Sequence, residues 1–123
     1  MPTFNDYREF AKRKARSAGL KDAPTKLELQ NLPKKDTYNV VARNYHETFT
    51  PHDKTKPVVI TGRGVILDRQ YYHDNRNNPQ EIKQAIIHEL AHQVTGHAVH
   101  NENFREAAKK LGADANHQKP YWQ

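Results

Sequence analysis

Apolar residues recur at helical spacing in three segments of the chain. A spacing of three to four residues puts side chains on one face of a helix. The apolar positions of the first segment, which ends near Gly19, are Phe4, Tyr7, Phe10, Ala11 and Ala15. Those of the second are Ile82, Ile86, Ile87, Leu90, Ala91 and Val94, and those of the third are Phe104, Ala107, Ala108 and Leu111. The pattern predicts three helices, each of which buries an apolar face.

Between the first two helices the chain is rich in residues that favour strands. Residues 37–46 partly alternate between apolar and polar, residues 58–61 form a short apolar run, and residues 26–29 are a further short candidate. We predict that the glycines of residues 62–64 turn the chain tightly into a last strand over residues 65–67. The expected fold is α+β, with a small antiparallel sheet against an N-terminal helix and two later helices.

The second helix carries strong signals at both ends. Asn78 stands where its side chain can cap the first N–H groups, and Pro79 suits the first helical position. Glu81 falls where a capping box places its acid, and Gly96 is a natural terminator. The sequence therefore predicts a mostly buried helix over residues 79–95.

Three ionisable residues, His88, Glu89 and His92, interrupt the apolar middle of this helix. The histidines are four residues apart, so both imidazoles lie on one face and can reach one metal ion. Glu89 stands beside them, where its carboxylate can act on a water molecule as a general base. This His-Glu-x-x-His pattern is typical of zinc hydrolases. The alternative is a group of side chains that hydrogen-bond within the core or face solvent.

A catalytic zinc site needs a third protein ligand beside its open position. A metzincin would place its Gly and its third His where this chain has Thr95 and Ala98, which excludes that class. In gluzincins the third ligand is a Glu on a later helix. Glu106 could serve, but it follows the His-Glu-x-x-His motif more closely in the chain than is usual for that class. His97 and His100 remain, and we favour His100 because it stands directly before the third helix, which would hold it firmly.

Residues 88–112 resemble the SprT/Spartan family of zinc metalloproteases. Three stretches carry the resemblance: His88-Glu89-Leu90-Ala91-His92, His100-Asn101-Glu102-Asn103-Phe104 and Lys110-Leu111-Gly112. The apolar strand at residues 64–68 also fits, so the resemblance extends over residues 55–112. Asn101 stands where the family usually has Gly. Many members also carry a C-terminal zinc ribbon of cysteines, whereas this chain has no cysteine.

The resemblance implies a small zincin-like domain that acts as a zinc-dependent metalloprotease, with DNA-associated proteins as candidate substrates. It implies one Zn²⁺ per chain, held by His88, His92 and His100, with Glu89 as the base that takes a proton from water. An edge strand of the sheet would take an extended peptide. Two further interpretations stay open. One is a non-proteolytic DNA-binding or interaction module with a structural metal, and the other is a zinc hydrolase that cleaves another substrate, such as cell-wall peptides.

Positive charge is concentrated at the N-terminal end of the chain. The net charge is +6 and the pI is about 9.6, and the basic residues in and just after the first helix are Arg8, Lys12, Arg13, Lys14, Arg16 and Lys21. Such a face binds polyanions with salt-dependent, sequence-independent affinity. We therefore expect weak, non-sequence-specific DNA binding through Lys12, Arg13 and Arg16. The alternative is a solvated helix face.

Length and composition bound the rest. At 123 residues the chain predicts a single domain over residues 1–123, with a core over about 37–112 and a polar tail over 113–123. No stretch is apolar enough to cross a membrane, and the N-terminus has no hydrophobic signal segment, so we expect a cytoplasmic protein. The resemblance implies a protein or peptide substrate. Tyr71, Tyr72 and His73 precede the second helix, and one of them could stabilise an oxyanion.

Overall fold

The computed structural model describes residues 2–34, 40–96 and 101–113. Within these ranges the chain forms four helices and one three-stranded sheet, which confirms the α+β class. In chain order the elements are α1 (Phe4–Ser17), β1 (Thr25–Gln30), β2 (Ala42–Phe49), β3 (Val59–Asp68), α2 (Arg69–Asn75), α3 (Pro79–Thr95) and α4 (Glu102–Leu111). None of the described helices could span a membrane by length and apolarity together.

The sheet is mixed, so the predicted antiparallel arrangement is wrong for one of its two strand pairs. Its strand order is β1-β3-β2, with β2 antiparallel to the central strand β3 and β1 parallel to it. Alternation of apolar and polar residues marks a strand but does not encode its direction. Whether β1 is parallel or antiparallel to its neighbour depends on whether it joins the β3 side or the β2 side of the β2–β3 pair.

The central strand also corrects the predicted turn at residues 62–64. β3 is continuous through Gly62 and Gly64, which pair with Glu47 and Tyr45 of β2. A Cβ atom built on Gly64 would lie 2.5 Å from Cε1 and 2.6 Å from the hydroxyl oxygen of Tyr45. The absence of a side chain at Gly64 thus makes room for an aromatic ring on the neighbouring strand and not for a change of direction.

The core lies between the sheet and helices α1, α3 and α4, and α3 contacts every other layer. The buried cluster extends N-terminally beyond the expected range of 37–112, because it includes four residues of α1 and one of β1: Tyr7, Phe10, Ala11, Ala15 and Leu27. Helix α2, which the sequence pattern did not predict, is a short element whose first turn is capped by the Asp68 carboxylate. Its packing against α3 and β3 closes one end of this core.

The ends of α3 and α4 place the functional residues. Asn78 occupies the cap position of α3 but its side chain makes no capping hydrogen bond, so the predicted capping box does not form there. Gly96 ends α3 in the left-handed conformation with φ of 72°, and its N–H donates to the His92 carbonyl. Asn101 caps α4 as predicted, since its side chain accepts a 3.0 Å hydrogen bond from the Phe104 N–H.

Candidate metal centre

Helix α3 brings His88, Glu89 and His92 together at the centre of the fold. One ligand atom from each of the three lies within 4.8 Å of the other two, and no other such cluster occurs among the described residues. The residues are 1%, 2% and 6% exposed, respectively. Because ionisable groups are costly to bury without compensation, this grouping could hold a metal ion.

The two histidines have the separation that a shared metal ion requires. Their Nε2 atoms are 3.3 Å apart. Two nitrogens bound to a tetrahedral zinc ion at about 2.0–2.1 Å each would lie about 3.3–3.4 Å from one another. The donor set, two imidazole nitrogens with a carboxylate beside them, fits the same kind of ion. At this distance one imidazole can also donate a hydrogen bond to the other, as in the hydrogen-bonded core alternative.

Phe104 of α4 forms the floor beneath the two imidazoles. Its ring centroid lies 5.0 Å from that of His88 and 4.5 Å from that of His92, and the side chain is fully buried. The apolar face of α4 packs on α3, so the cap at Asn101 and the ring at Phe104 together fix the start of α4 beside the cluster. Contact with both rings restricts how either imidazole can rotate.

The predicted third ligand, His100, lies outside the described residues, and so does its competitor His97. Both belong to the segment that joins Gly96, at the end of α3, to Asn101, at the cap of α4. Glu106, the gluzincin-like alternative, is exposed on α4 two residues beyond the buried Phe104 and does not join the cluster.

Glu89 is a buried acid with one hydrogen-bonding neighbour that sequence reasoning missed. Asn44 of β2 donates from Nδ2 to Glu89 Oε1 at 3.1 Å. Burial raises the pKa of Glu89 to about 8, while the Asn44 hydrogen bond and the charge of Arg43 pull the pKa in the opposite direction. Glu89 therefore has a high proton affinity in the metal-free protein. A bound cation would lower that affinity.

A second polar cluster fixes the last turn of α3 to the sheet. The Gln93 side-chain nitrogen donates to the carbonyl oxygens of Tyr45 at 3.2 Å and Gly64 at 2.9 Å. Gln93 Oε1 accepts from the buried Arg63 guanidinium at 3.2 Å, and Arg63 also forms an ion pair with Asp22. Because Gln93 directly follows His92, these bonds hold the turn that carries one candidate ligand. The sequence contains no motif that marks them.

The contacts that the structure shows for the oxyanion candidates lie elsewhere in the fold. The Tyr71 hydroxyl donates to the Glu81 carbonyl in the first turn of α3, at 3.3 Å. Tyr72 packs edge-on against the rings of Phe4 and Tyr7 in α1, and His73 of α2 is exposed. These contacts assign none of the three a role at the cluster.

The basic residues of α1 divide into two groups. Lys12, Arg13 and Arg16 are exposed, as DNA contact requires, although Lys12 also pairs with Glu9 at 3.6 Å. Arg8 is instead directed back to the protein, because its Nε donates to the Leu27 carbonyl at 3.3 Å and its guanidinium lies over the Phe4 ring. The surface available to a polyanion is therefore centred on the second half of the helix.

Comparison with known proteins adds no family to this picture. No family model, no curated protein and no solved structure matches the chain. The similarity to SprT/Spartan proteases stays a prediction from the motif residues.

Proposed function

We propose that the protein is a zinc-dependent metallopeptidase whose centre is formed by His88, His92 and His100, with Glu89 as the general base. One observation carries the proposal. Two imidazole nitrogens 3.3 Å apart and a carboxylate converge on one buried helical face. Ionisable groups in the apolar middle of a helix are costly unless they are paired, hydrogen-bonded or bound to an ion.

The roles of the residues follow from their chemistry. Bound zinc would polarise the scissile carbonyl and make a water molecule more acidic. His88 and His92 would hold the ion as neutral imidazoles, with Phe104 keeping both rings in place. Glu89 would accept a proton from the attacking water and return it to the leaving amine nitrogen. Its position next to His88 and opposite Asn44 suits this role, because the carboxylate is held and shielded from bulk water.

The sheet offers a place for an extended substrate. β2 is an edge strand, since β3 is its one strand partner among the described residues. It also carries Asn44, which contacts Glu89. An extended peptide that added to the open side of β2 would make backbone hydrogen bonds close to the candidate base. We propose that unstructured protein segments are the substrate class, including those of proteins bound to DNA, and the exposed basic residues of α1 support the DNA association.

The direct test joins metal analysis to hydrolysis of an unstructured protein such as casein. The purified protein should contain about one zinc per chain, as a mononuclear site does. It should cleave casein, lose this activity after treatment with a chelator and regain it when zinc is restored. If no metal binds after reconstitution with zinc, the site is not a metal centre. If zinc binds and no peptide bond is cleaved, the protein is not a peptidase.

A second function is favoured by how deeply the cluster is buried. With no residue of the cluster more than 6% exposed, the centre could be a closed structural metal site in a non-proteolytic DNA-binding or interaction module. That function requires four protein ligands and makes the Glu89 carboxylate dispensable. X-ray absorption on the zinc protein separates the two proposals, since a water ligand in the first shell excludes the closed site.

A further inference from the structure

Asn44 is a polar residue in a strand position where an apolar side chain is expected. β2 pairs Asn44 with Val65 of β3, which is fully buried, on the side of the sheet that faces α3. Asparagine is disfavoured in strands, and a half-buried amide needs a partner. That partner is Glu89, 45 residues away in the chain, and no other described residue hydrogen-bonds to the Glu89 carboxylate.

The contact sets the orientation of the acid. A glutamate side chain has three rotatable bonds, and a buried one without a fixed partner can turn its oxygens to several directions. With Oε1 held at 3.1 Å by an amide on the rigid sheet, the second oxygen is restricted to the remaining directions around the carboxylate. A neutral donor does this without placing a positive charge against the base, as an Arg or Lys would.

We propose that Asn44 is a positioning residue for the hydrolytic reaction, holding one oxygen of Glu89 so that the other is presented to the reacting water. The inference rests on the proposed function of Glu89. Strand β2 would then orient the Glu89 carboxylate in addition to any contact it makes with substrate. It also explains why the strand nearest to α3 carries a polar side chain at this register.

The kinetic test uses a near-isosteric substitution with a matched control. Asn44→Asp keeps the size of the side chain, removes the N–H donor and sets a second carboxylate against Glu89. We expect kcat to fall about ten- to a hundred-fold, the scale for losing an outer-shell partner, with KM and zinc content little changed. Asn44→Ala should act in the same direction. Asn75→Asp is the control, because its side chain donates to the Tyr71 carbonyl at 2.9 Å, away from the centre. It should keep its kcat within about two-fold of the original protein.

A dependence on Glu89 separates positioning from a general structural role. If Asn44 acts through the base, Asn44→Ala should not further lower the residual rate of Glu89→Gln. A merely structural loss would lower the rate in both backgrounds by the same factor. Equal losses in the two backgrounds, or an unchanged kcat in both Asn44 variants, would overturn the inference.

A readout independent of activity is the Asn44 side-chain amide in ¹⁵N NMR spectra of the zinc-loaded and zinc-free protein. In Glu89→Ala its resonances should shift and its hydrogens exchange faster, while those of the Asn75 amide stay unchanged. Unchanged Asn44 resonances would refute the contact and the inference with it, whatever the hydrolytic rate. If the contact is present but the original protein cleaves no peptide, the proposed function fails, and Asn44 then only satisfies a buried acid.

Discussion

Two polar clusters meet at the end of α3, in neighbouring residues of the chain, and they are built in different ways. The arginine cluster consists of Arg63, Asp22 and Gln93, and the imidazole–carboxylate cluster consists of His88, Glu89 and His92. In the arginine cluster donors meet acceptors: the guanidinium bonds Gln93 and Asp22, and the Gln93 amide nitrogen bonds two backbone carbonyls. These bonds join helix to sheet, although the Nε atom of Arg63 is buried without a hydrogen-bond partner among the described residues.

The imidazole–carboxylate cluster consists instead of three potential metal ligands. Burial raises the pKa of Glu89, and the Nε2 atoms of His88 and His92 lie within hydrogen-bond distance of each other. One ligand atom from each of the three residues lies within 4.8 Å of the other two, and each can bind a metal ion once it carries no proton. Burial alone therefore does not identify a functional site. The informative property is whether the grouped atoms are of the kinds that can bind one metal ion.

The largest effect is expected from Glu89→Gln. The amide has nearly the size of the acid, so fold and zinc content should stay, but it cannot take a proton from water. Hydrolysis should fall by about 10²–10⁴-fold, the contribution of a general base. The measurement is kcat/KM on casein, with zinc content determined on the same samples. Near-full activity in the variant would exclude Glu89 as the base, and loss of zinc would make Glu89 a ligand.

The next largest effect concerns the proposed third zinc ligand. Loss of an outer-shell partner typically weakens metal binding by about 10- to 100-fold. His100→Ala should weaken zinc binding by more than this, because it removes a coordinating atom. His97→Ala is the matched control and should bind zinc nearly as the original protein does. Competition titration with a chromogenic chelator measures both affinities. The reverse ranking of the two variants would transfer the third-ligand role to His97.

The arginine cluster should respond in stability and not in metal binding. Arg63→Met keeps much of the side-chain volume but leaves Gln93 Oε1 without its donor and removes the tie to Asp22. We expect a loss of about 1–3 kcal/mol in the free energy of unfolding, because the half-buried Gln93 side chain loses the donor that ties it to the sheet. Urea denaturation measures the loss, and one zinc per chain should still bind below the transition.

Lys26→Met is the control for this substitution, because Lys26 is exposed on β1 and its exchange should change stability by less than about 0.5 kcal/mol. A stable Arg63→Met protein that cannot bind zinc would contradict the division of roles. It would mean that the two clusters form one functional unit.

How much of this architecture the sequence could predict depends on the range of the interactions. The limits of α3 follow from residues within or next to it, since Pro79 and Gly96 mark its ends, and the four-residue spacing of His88 and His92 is a local property of a helix. The cap at Asn101 is local for the same reason. These were predictable, and the structure confirms them.

What failed depends on contacts between distant parts of the chain. Gly64 signals a turn in the sequence, but its role is set by the Tyr45 ring on the next strand. The parallel pairing of β1 with β3 depends on which sheet edge was open. Neither the Asn44–Glu89 contact nor the Arg63–Gln93 contact follows any short-range pattern, since each joins residues at least 30 positions apart.

The smallest expected effect concerns the exposed cations of α1. These side chains are neither paired with a buried group nor directed to a common point. We expect weak binding of DNA without sequence preference. Its affinity should fall with salt at a slope of about 0.7–0.9 per phosphate contacted. Reversal of Lys12, Arg13 and Arg16 to Glu should remove most of this binding and leave the zinc site intact, because all three side chains are exposed and none contacts α3 residues of the cluster.

The effect of the protein's net charge on DNA binding must be separated from the effect of where the basic residues lie. The control reverses three exposed basic residues outside α1, namely Lys54, Lys56 and Arg76, and it brings the net charge from +6 to neutral as the α1 reversal does. Fluorescence anisotropy with single- and double-stranded oligonucleotides, over a series of salt concentrations, compares the two variants. If α1 is the contact surface, its reversal lowers the affinity and the salt slope more than the control does. Equal losses would show that DNA responds only to the overall charge, and no binding at low salt would make the α1 cations a solvated surface.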